Sequence, residues 1–504
     1  MNKGIVSTGS KEATQAGVDV LCAGGNAFDA AIASVFASMT SEFALTGVGG
    51  GGAMMCHVMG NKPILYDFFV DTPPLSDDKD LDFFGIDVDF GDSTQKFHIG
   101  KGSVAVPGTL LGLITVHQKH GLLPLSIVLE PAIELAKTGT SLSKEQAYVF
   151  KILDPIFSHS QEGKKIFYLN GELLKEGQIF KNPDFASFLE RVSNEGSDFF
   201  YLNDGATLMV NFFSDGGLLT KSLLKNYYVA IREPVQTSFK GVDYYSNPAP
   251  SVGGTLIVFL LKILEKSKKA EIYFPELLNA MLITNLARSE ICLDPNQEYQ
   301  VNKLLEDEIF FNYLKKHVDV FPNDNSALER GCTTHVSVID KDLNSASVTT
   351  TNGEGCGYIL PGTGIMMNNM LGETDLNPLG FHAYKHSMRL PTMVSPSMIM
   401  QNDKPLLLLG SGGSNRIRSA IVQVIINFLI KGMNISDAIN APRMHLEGKD
   451  IFHEPGIEID HGLLIDDFSI YPFEDKNLFF GGVNAVTRDG GCSDPRRGGS
   501  CQII

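Results

Sequence analysis

Gly331 to Thr351 is the stretch that most constrains how this chain can fold. It reads Gly331-Cys332-Thr333-Thr334-His335-Val336-Ser337-Val338-Ile339-Asp340, then Lys341-Asp342-Leu343-Asn344, then Ser345-Ala346-Ser347-Val348-Thr349-Thr350-Thr351. Polar and apolar residues alternate on both sides of Lys341–Asn344, which predicts a β-hairpin closed by a turn of Asp and Asn type. Thr333 stands at the start of the first strand, and no Ser/His/Asp spacing around it supplies a base. A hydroxyl so placed can be activated by cutting the chain before it, so that its own α-amine takes the proton. A Thr-Thr pair is also simply a good strand former. Taken alone, that plainer account is the stronger one.

Composition narrows the function classes. The 504 residues allow about three domains, and 43% hydrophobic with 20% charged residues describes an ordinary globular chain with ample core. A formal net charge of −17 argues against nucleic acid and against adhesion to an anionic membrane. The seven cysteines (Cys22, Cys56, Cys292, Cys332, Cys356, Cys492, Cys501) are odd in number and lack any CxxC pair. They suit free thiols in a reducing compartment better than a disulfide framework. No apolar h-region follows Met1, and Thr255–Leu261 and Ile421–Ile430 are too short to span a bilayer. The expectation is a cytoplasmic protein.

Along the chain, Lys11–Leu21 has helical spacing stopped by Gly24-Gly25. Asn26 is placed to cap a second, alanine-rich helix, with Asp29 reaching back as in a capping box. Gly47–Gly52 looks superficially like a nucleotide loop, but the helix precedes it where a dinucleotide fingerprint needs a strand. A wall of the active site, with close backbone approach, is the better use of those glycines. Ile64–Phe69 reads as a strand, and residues 109–137 as two helices broken near Gly121 and Pro124. Leu256–Leu264 and Pro275–Arg288 read as further helices. Asp294–Arg330 is polar and charged, with one helical patch near Leu304–Tyr313, and is expected to be a mobile segment leading to a cut site. Ser397–Met400 and Pro405–Leu409 form a strand pair around Asn402-Asp403. Gly410–Asn415 then turns into a helix over Arg416–Ile430; the turn suits an oxyanion, or is an ordinary strand-to-helix connection. His382 with His386, and His117 with His120, lack the company of a metal motif, so neither a metal nor another cofactor is expected.

Several blocks share one order and spacing. They are Gly17–Leu21, Gly24–Asp29, Gly49–Gly52, Val106–Thr109, Pro250–Gly254, Pro361–Asn369, Pro391–Ser397, Leu409–Ile417 and Ser493–Gly498. Together with the hairpin they resemble the gamma-glutamyltranspeptidase family of N-terminal-nucleophile hydrolases, nearly end to end. The resemblance implies an αββα four-layer sandwich, and a proenzyme whose subunits, residues 1–332 and 333–504, stay interwoven after self-cleavage. Thr333 would be the nucleophile, or Thr334 if the cut falls one residue later. Thr351 would orient it, and the N–H groups of Gly413 and Ser414 would hold the oxyanion.

The donor pocket departs from the family's pattern. Phe69 stands where members that take gamma-glutamyl donors keep an arginine, and Thr392 and Met393 stand where they keep two serines. A phenyl ring does not replace a bidentate guanidinium. Glu373 falls where the family keeps an acid, Gly353 where many have Asn, flanked by Asn352 and Glu354, and Leu343 replaces a common turn glycine. Three readings follow: an amidohydrolase or acyltransferase with a non-standard small-molecule amide donor; a true gamma-glutamyl enzyme using Arg389 or Arg416 as substitute cation; or a non-catalytic binding protein on the same fold. Retention of Thr333, Thr351 and Gly412-Gly413 argues against the third. A homo-oligomer is compatible with all three.

Overall fold

The computed structural model describes residues 3–74, 80–89, 94–266, 271–291, 298–316, 331–383, 387–459 and 468–504. Cys292, His386 and much of the Asp294–Arg330 segment lie outside the described residues. The helical patch foreseen in that segment is the helix Asp307–Lys316.

Two antiparallel sheets form the centre. One contains β1 (Gly4–Thr8), β2 (Gly51–His57), β3 (Ile64–Phe68), β4 (Ala230–Arg232), β7 (Thr334–Asp340), β8 (Ser345–Thr351) and β13 (Ser500–Ile503). The other contains β5 (Val235–Phe239), β6 (Val242–Ser246), β9 (Ser397–Gln401), β10 (Lys404–Gly412), β11 (Gly482–Thr487) and β12 (Gly491–Cys492). Their strand orders are β4-β3-β2-β8-β7-β1-β13 and β5-β6-β9-β10-β11-β12. Both sheets thus combine strands from before and after residue 332, so the two segments share one core.

Helices cover both outer faces. On the first sheet lie α1 (Lys11–Cys22), α2 (Ala27–Ser41), α3 (Thr109–His120), α4 (Leu125–Thr138) and α5 (Pro183–Glu195), whose apolar residues join Val336, Val338, Ala346 and Val348 in one core. On the second lie α6 (Gly253–Lys266), α7 (Phe274–Ile291) and α8 (Arg416–Leu429), packed with Ile399, Leu407, Leu409 and Val483. The result is the four-layer αββα sandwich. None of the described helices is long and apolar enough to cross a membrane.

Local chemistry explains why these elements form where they do. Asn26 accepts from the N–H groups of Phe28 and Asp29, while Asp29 accepts from the N–H of Asn26, completing the capping box. Every residue of α2 is buried, as its small side chains permit. Asn402 and Asp403 both adopt positive φ (52° and 58°), the geometry of a two-residue hairpin turn. In the 340–345 turn, Asp340 Oδ1 accepts from the N–H groups of Asp342 and Asn344, and Leu343 takes the φ of 66° that a glycine usually supplies.

Between the sheets the packing is partly polar. His335 bridges Thr349 Oγ1 (2.7 Å) and Ser337 Oγ (2.8 Å), and burial drives its pKa down to about 3, so the ring is neutral. Asn484 Nδ2 donates to the His335 carbonyl, tying the second sheet to the hairpin. His117 and His120 are hydrogen-bonded to the Leu123 carbonyl and the Tyr66 hydroxyl, so they are satisfied packing groups rather than solvated ones.

Candidate active site

The pairing of β7 with β8, Thr334 opposite Thr350, brings the end of β8 beside the residues that precede β7. Thr351 Oγ1 donates to the Cys332 carbonyl at 2.5 Å, the peptide immediately before Thr333. The Gly353 N–H in turn donates to Thr351 Oγ1 (3.0 Å), fixing the hydroxyl's direction. Thr333 itself is 5% exposed. The glycine run comes close to this backbone: a Cβ on Gly50 would lie 2.0 Å from the Thr351 carbonyl oxygen, so no side chain fits there. Asn352 donates across the same corner to the Met366 carbonyl.

Opposite the hairpin, the turn after β10 supplies Gly413 (φ 121°) and Ser414 (φ 48°). Ser414 Oγ donates to Asp375 Oδ2 at 2.6 Å, which tethers this turn to the 373–375 segment. Gly331 packs directly on it, a Cβ there falling 3.0 Å from Ser414 Cβ. Together Gly331, Glu354, Glu373, Asp375 and Ser414 line a narrow crevice, with Lys96 at its rim. Gly353 explains one departure noted in the sequence. A side chain there would meet Asn369 Oδ1 at 2.2 Å and Glu373 Oε1 at 2.4 Å, so Glu373 takes up the space a larger residue would need. Glu354 is buried, accepts from Asn369 Nδ2, and is pushed up to about 8 by burial.

The structure therefore brings together Thr333, Thr351, Gly353, Glu354, Glu373, Gly413 and Ser414. Phe69, Thr392 and Met393 stand apart. Phe69 is 1% exposed, inside the apolar core between the sheets with Leu390 and Val394. It follows β3, two strands from Thr351, on the order of 10 Å away. The carbonyl of Thr392 accepts from the N–H groups of Val252 and Gly253, and Met393 packs in the core against α6. Arg389, considered as a substitute cation, is engaged: Nε donates to Asp71 Oδ1, Nη1 to Asp67, and Nη2 to the Tyr228 carbonyl. Arg416 is buried, with Nε on the Phe479 carbonyl and its guanidinium over the Phe479 ring.

Three neighbours of Thr333 were not singled out from sequence. Asp375 is one. Glu42 Oε2 accepts from Thr334 Oγ1 at 2.6 Å, and Arg497 Nη1 donates to the Thr333 carbonyl at 3.4 Å. Arg497 lies in the Ser493–Gly498 block, a usable signal. Glu42 is 292 positions from its partner, and no local pattern announces it. His382 Nε2 bonds the Gly102 carbonyl. No group of three or more His, Cys, Asp or Glu side chains among the described residues is arranged to hold a metal.

A helix-covered sandwich of two antiparallel sheets, with a threonine at the head of a central strand, is the architecture of N-terminal-nucleophile hydrolases. The gamma-glutamyltranspeptidase family profile matches residues 13–504, so the chain belongs to that family, whose members hydrolyse amides or transfer their acyl groups. It is 31% identical to the glutathione hydrolase proenzyme of Escherichia coli K12 over 477 residues, spanning 88% of this chain and 81% of that one. It is 28% identical to the acylase ACY 1 proenzyme of a Pseudomonas species, strain SE83, over 89% of this chain and 83% of that one. In fold it is similar to the crystal structure of cephalosporin acylase from Bacillus halodurans (TM-score 0.85, 24% identity, 99% and 96% of the two chains).

Glu42 generates a pH test. Burial raises its pKa from 4.5 to about 7, against the hydrogen bonds from Thr334 and Ser10 that lower it. A raised carboxyl contributes stability fully below its unfolded pKa and loses it as pH rises through the folded one. In an uncut Thr333→Ala chain, Glu42→Gln should therefore gain on its parent between pH 4.5 and 7, by on the order of 3 kcal/mol, and level off above. Urea denaturation at a series of pH values measures the gap; a pH-independent difference contradicts it.

Proposed function

We propose that this chain is a self-processing N-terminal-threonine amidohydrolase or acyltransferase with an altered donor pocket. The hydrogen bond from Thr351 Oγ1 to the Cys332 carbonyl is the observation that carries this reading. A hydroxyl aimed at that oxygen polarises the carbonyl that Thr333 Oγ must attack. In maturation the Thr333 Oγ–C bond forms as the Cys332–Thr333 amide breaks. Water then hydrolyses the ester, leaving residues 1–332, ending in a carboxylate, and residues 333–504, beginning with a free amine. That amine has a reference pKa of about 7.7–8.0, close enough to neutrality to serve as base.

In turnover the amine takes the Thr333 hydroxyl proton while Oγ attacks the substrate amide. Gly413 and Ser414 N–H groups would stabilise the oxyanion, and the leaving amine departs with a proton. Water or a second amine then attacks the threonyl ester, and the acyl group leaves on it. At the donor end, the acids Glu373 and Asp375 that line the crevice favour a cationic amine. The position of the lost arginine is core, and Arg389 is engaged with Asp67 and Asp71. These observations favour an acyl donor that carries an amine and lacks the α-carboxylate.

Purified protein should split without added protease into two fragments, the smaller beginning at Thr333, as N-terminal sequencing reads out. Thr333→Ala should remain one chain of 54.9 kDa. Thr351→Ala should split more slowly, by on the order of 10²–10³. A Thr333→Ala chain that still splits and turns over substrate places the nucleophile elsewhere.

Donor choice is tested on a matched pair, gamma-glutamyl anilide against 4-aminobutanoyl anilide. A carboxylate without its guanidinium forfeits charge-assisted bonds of about 1.5–3 kcal/mol, so kcat/KM should favour the decarboxylated donor roughly ten- to hundredfold. A strong preference for the gamma-glutamyl compound contradicts the altered pocket.

A further inference from the structure

Two adjacent arginines near the C-terminus are treated very differently by the fold. Arg496 is neutralised: its guanidinium pairs with Glu454 Oε2 at 2.5 Å and with Asp494 Oδ1 at 3.2 Å. Arg497 has no such partner among the described residues. Its bonds go to two backbone carbonyls, Thr333 (3.4 Å) and Leu478 (3.3 Å), and its buried Nε–H has no acceptor. Burial lowers its pKa, yet a guanidinium stays protonated throughout the working range. A half-buried cation whose nearby acids, Asp494 and Glu42, act on it without bonding to it costs stability, and a place where such a charge persists is a candidate for a chemical task.

The charge sits beside the residue proposed above as nucleophile and base. Covalent geometry puts an amino acid's own nitrogen within about 4 Å of its carbonyl oxygen, so Arg497 Nη1 lies within roughly 7 Å of the amine that cleavage would create. The other titratable groups around that amine are almost all acids. Glu42 approaches through Thr334, and Glu354, Glu373 and Asp375 line the crevice on the β8 side. Asp494 lies beyond, committed to Arg443 and Arg496, while Cys332 precedes the cut and His335 is buried and neutral. Lys96 stands at the crevice rim, and its own partner is Asp87. Carboxylates that ionise stabilise an ammonium and raise the amine's pKa above its reference value, Glu42 and Glu354 doing so only as pH climbs through about 7 and about 8, which draws the amine away from its basic form. A nearby cation does the opposite.

We infer that Arg497 is a positioning residue that acts through charge, holding the Thr333 amine in its neutral, proton-accepting form against the surrounding carboxylates. The inference rests on the proposed cleavage before Thr333. It assigns a task to a half-buried side chain whose hydrogen bonds alone, two long contacts to carbonyls, do not explain its placement.

The test follows the amine itself and needs no substrate. Matured wild type, Arg497→Met, Arg497→Gln and Arg497→Lys would be reductively methylated with formaldehyde and cyanoborohydride across a pH series. Labelling is then read by mass spectrometry on the N-terminal peptide of the small fragment. The neutral variants should shift the midpoint of amine reactivity upward by about one pH unit, and lysine should restore the wild-type midpoint. Coincident midpoints in wild type and a neutral variant overturn the inference, whatever the variant does to activity. It is also overturned if both neutral variants fail to split while the lysine variant splits, because an uncut chain has no Thr333 amine to tune. Absence of any fragment beginning at Thr333, in wild type as well, instead removes the reading on which it rests.

Discussion

The register of one hairpin governs the candidate site. Because Thr334 faces Thr350, the last residue of β8 falls beside the peptide before β7, and Thr351 Oγ1 can reach the Cys332 carbonyl. A slip of one residue would turn each side chain to the other face of the sheet and carry Thr351 away from that carbonyl. The fold guards against this from several directions. The Asp340 carboxylate closes the turn and also accepts from the Ala27 N–H, so the start of α2 is fixed to the hairpin. β1 and β2 then pair on either side of the hairpin, and Asn484 grips the His335 carbonyl from the second sheet.

The polar seam between the sheets belongs to the same constraint. His335, Ser337, Ser347 and Thr349 would be costly in a dry interface if left unpaired. Their hydrogen bonds satisfy one another across the two strands, and Ser347 Oγ also donates to the Leu409 carbonyl of β10. An apolar interface could slide; this one has directional contacts that specify a single alignment. β10 continues from it into the Gly413–Ser414 turn, so the same alignment sets the distance between candidate oxyanion donors and the Thr333 peptide.

Local chemistry was legible in the sequence, and long-range chemistry was not. The hairpin, the Asn26–Asp29 capping box, the Asn402-Asp403 turn and the breaks near Gly121 and Pro124 all follow from residues within a few positions of one another. The four-layer arrangement came from the resemblance, because strand order is decided by pairings such as Ile5 with Ile503 that no periodicity reveals. Within the site, the substitutions at 69, 353, 392 and 393 could be read, but their settings could not. Phe69 looked like a ring facing the substrate and is a core residue. Arg389 looked available and is engaged by Asp67 and Asp71, one of them on the strand that leads to Phe69. Glu42 reaches Thr334 across 292 positions and Arg497 reaches Thr333 across 164; the second lies in a block the sequence marks, whereas only folding brings the first to light.

In the proposed mechanism Thr333 Oγ carries the acyl group. This is tested most directly by reacting the matured protein with an activated ester of 4-aminobutanoate, quenching in acid and mapping the adduct by mass spectrometry. The account predicts one acyl group on the peptide beginning at Thr333, removed by hydroxylamine as an ester must be. An adduct on another residue, or a hydroxylamine-stable amide at the Thr333 amine with none on its oxygen, would contradict it.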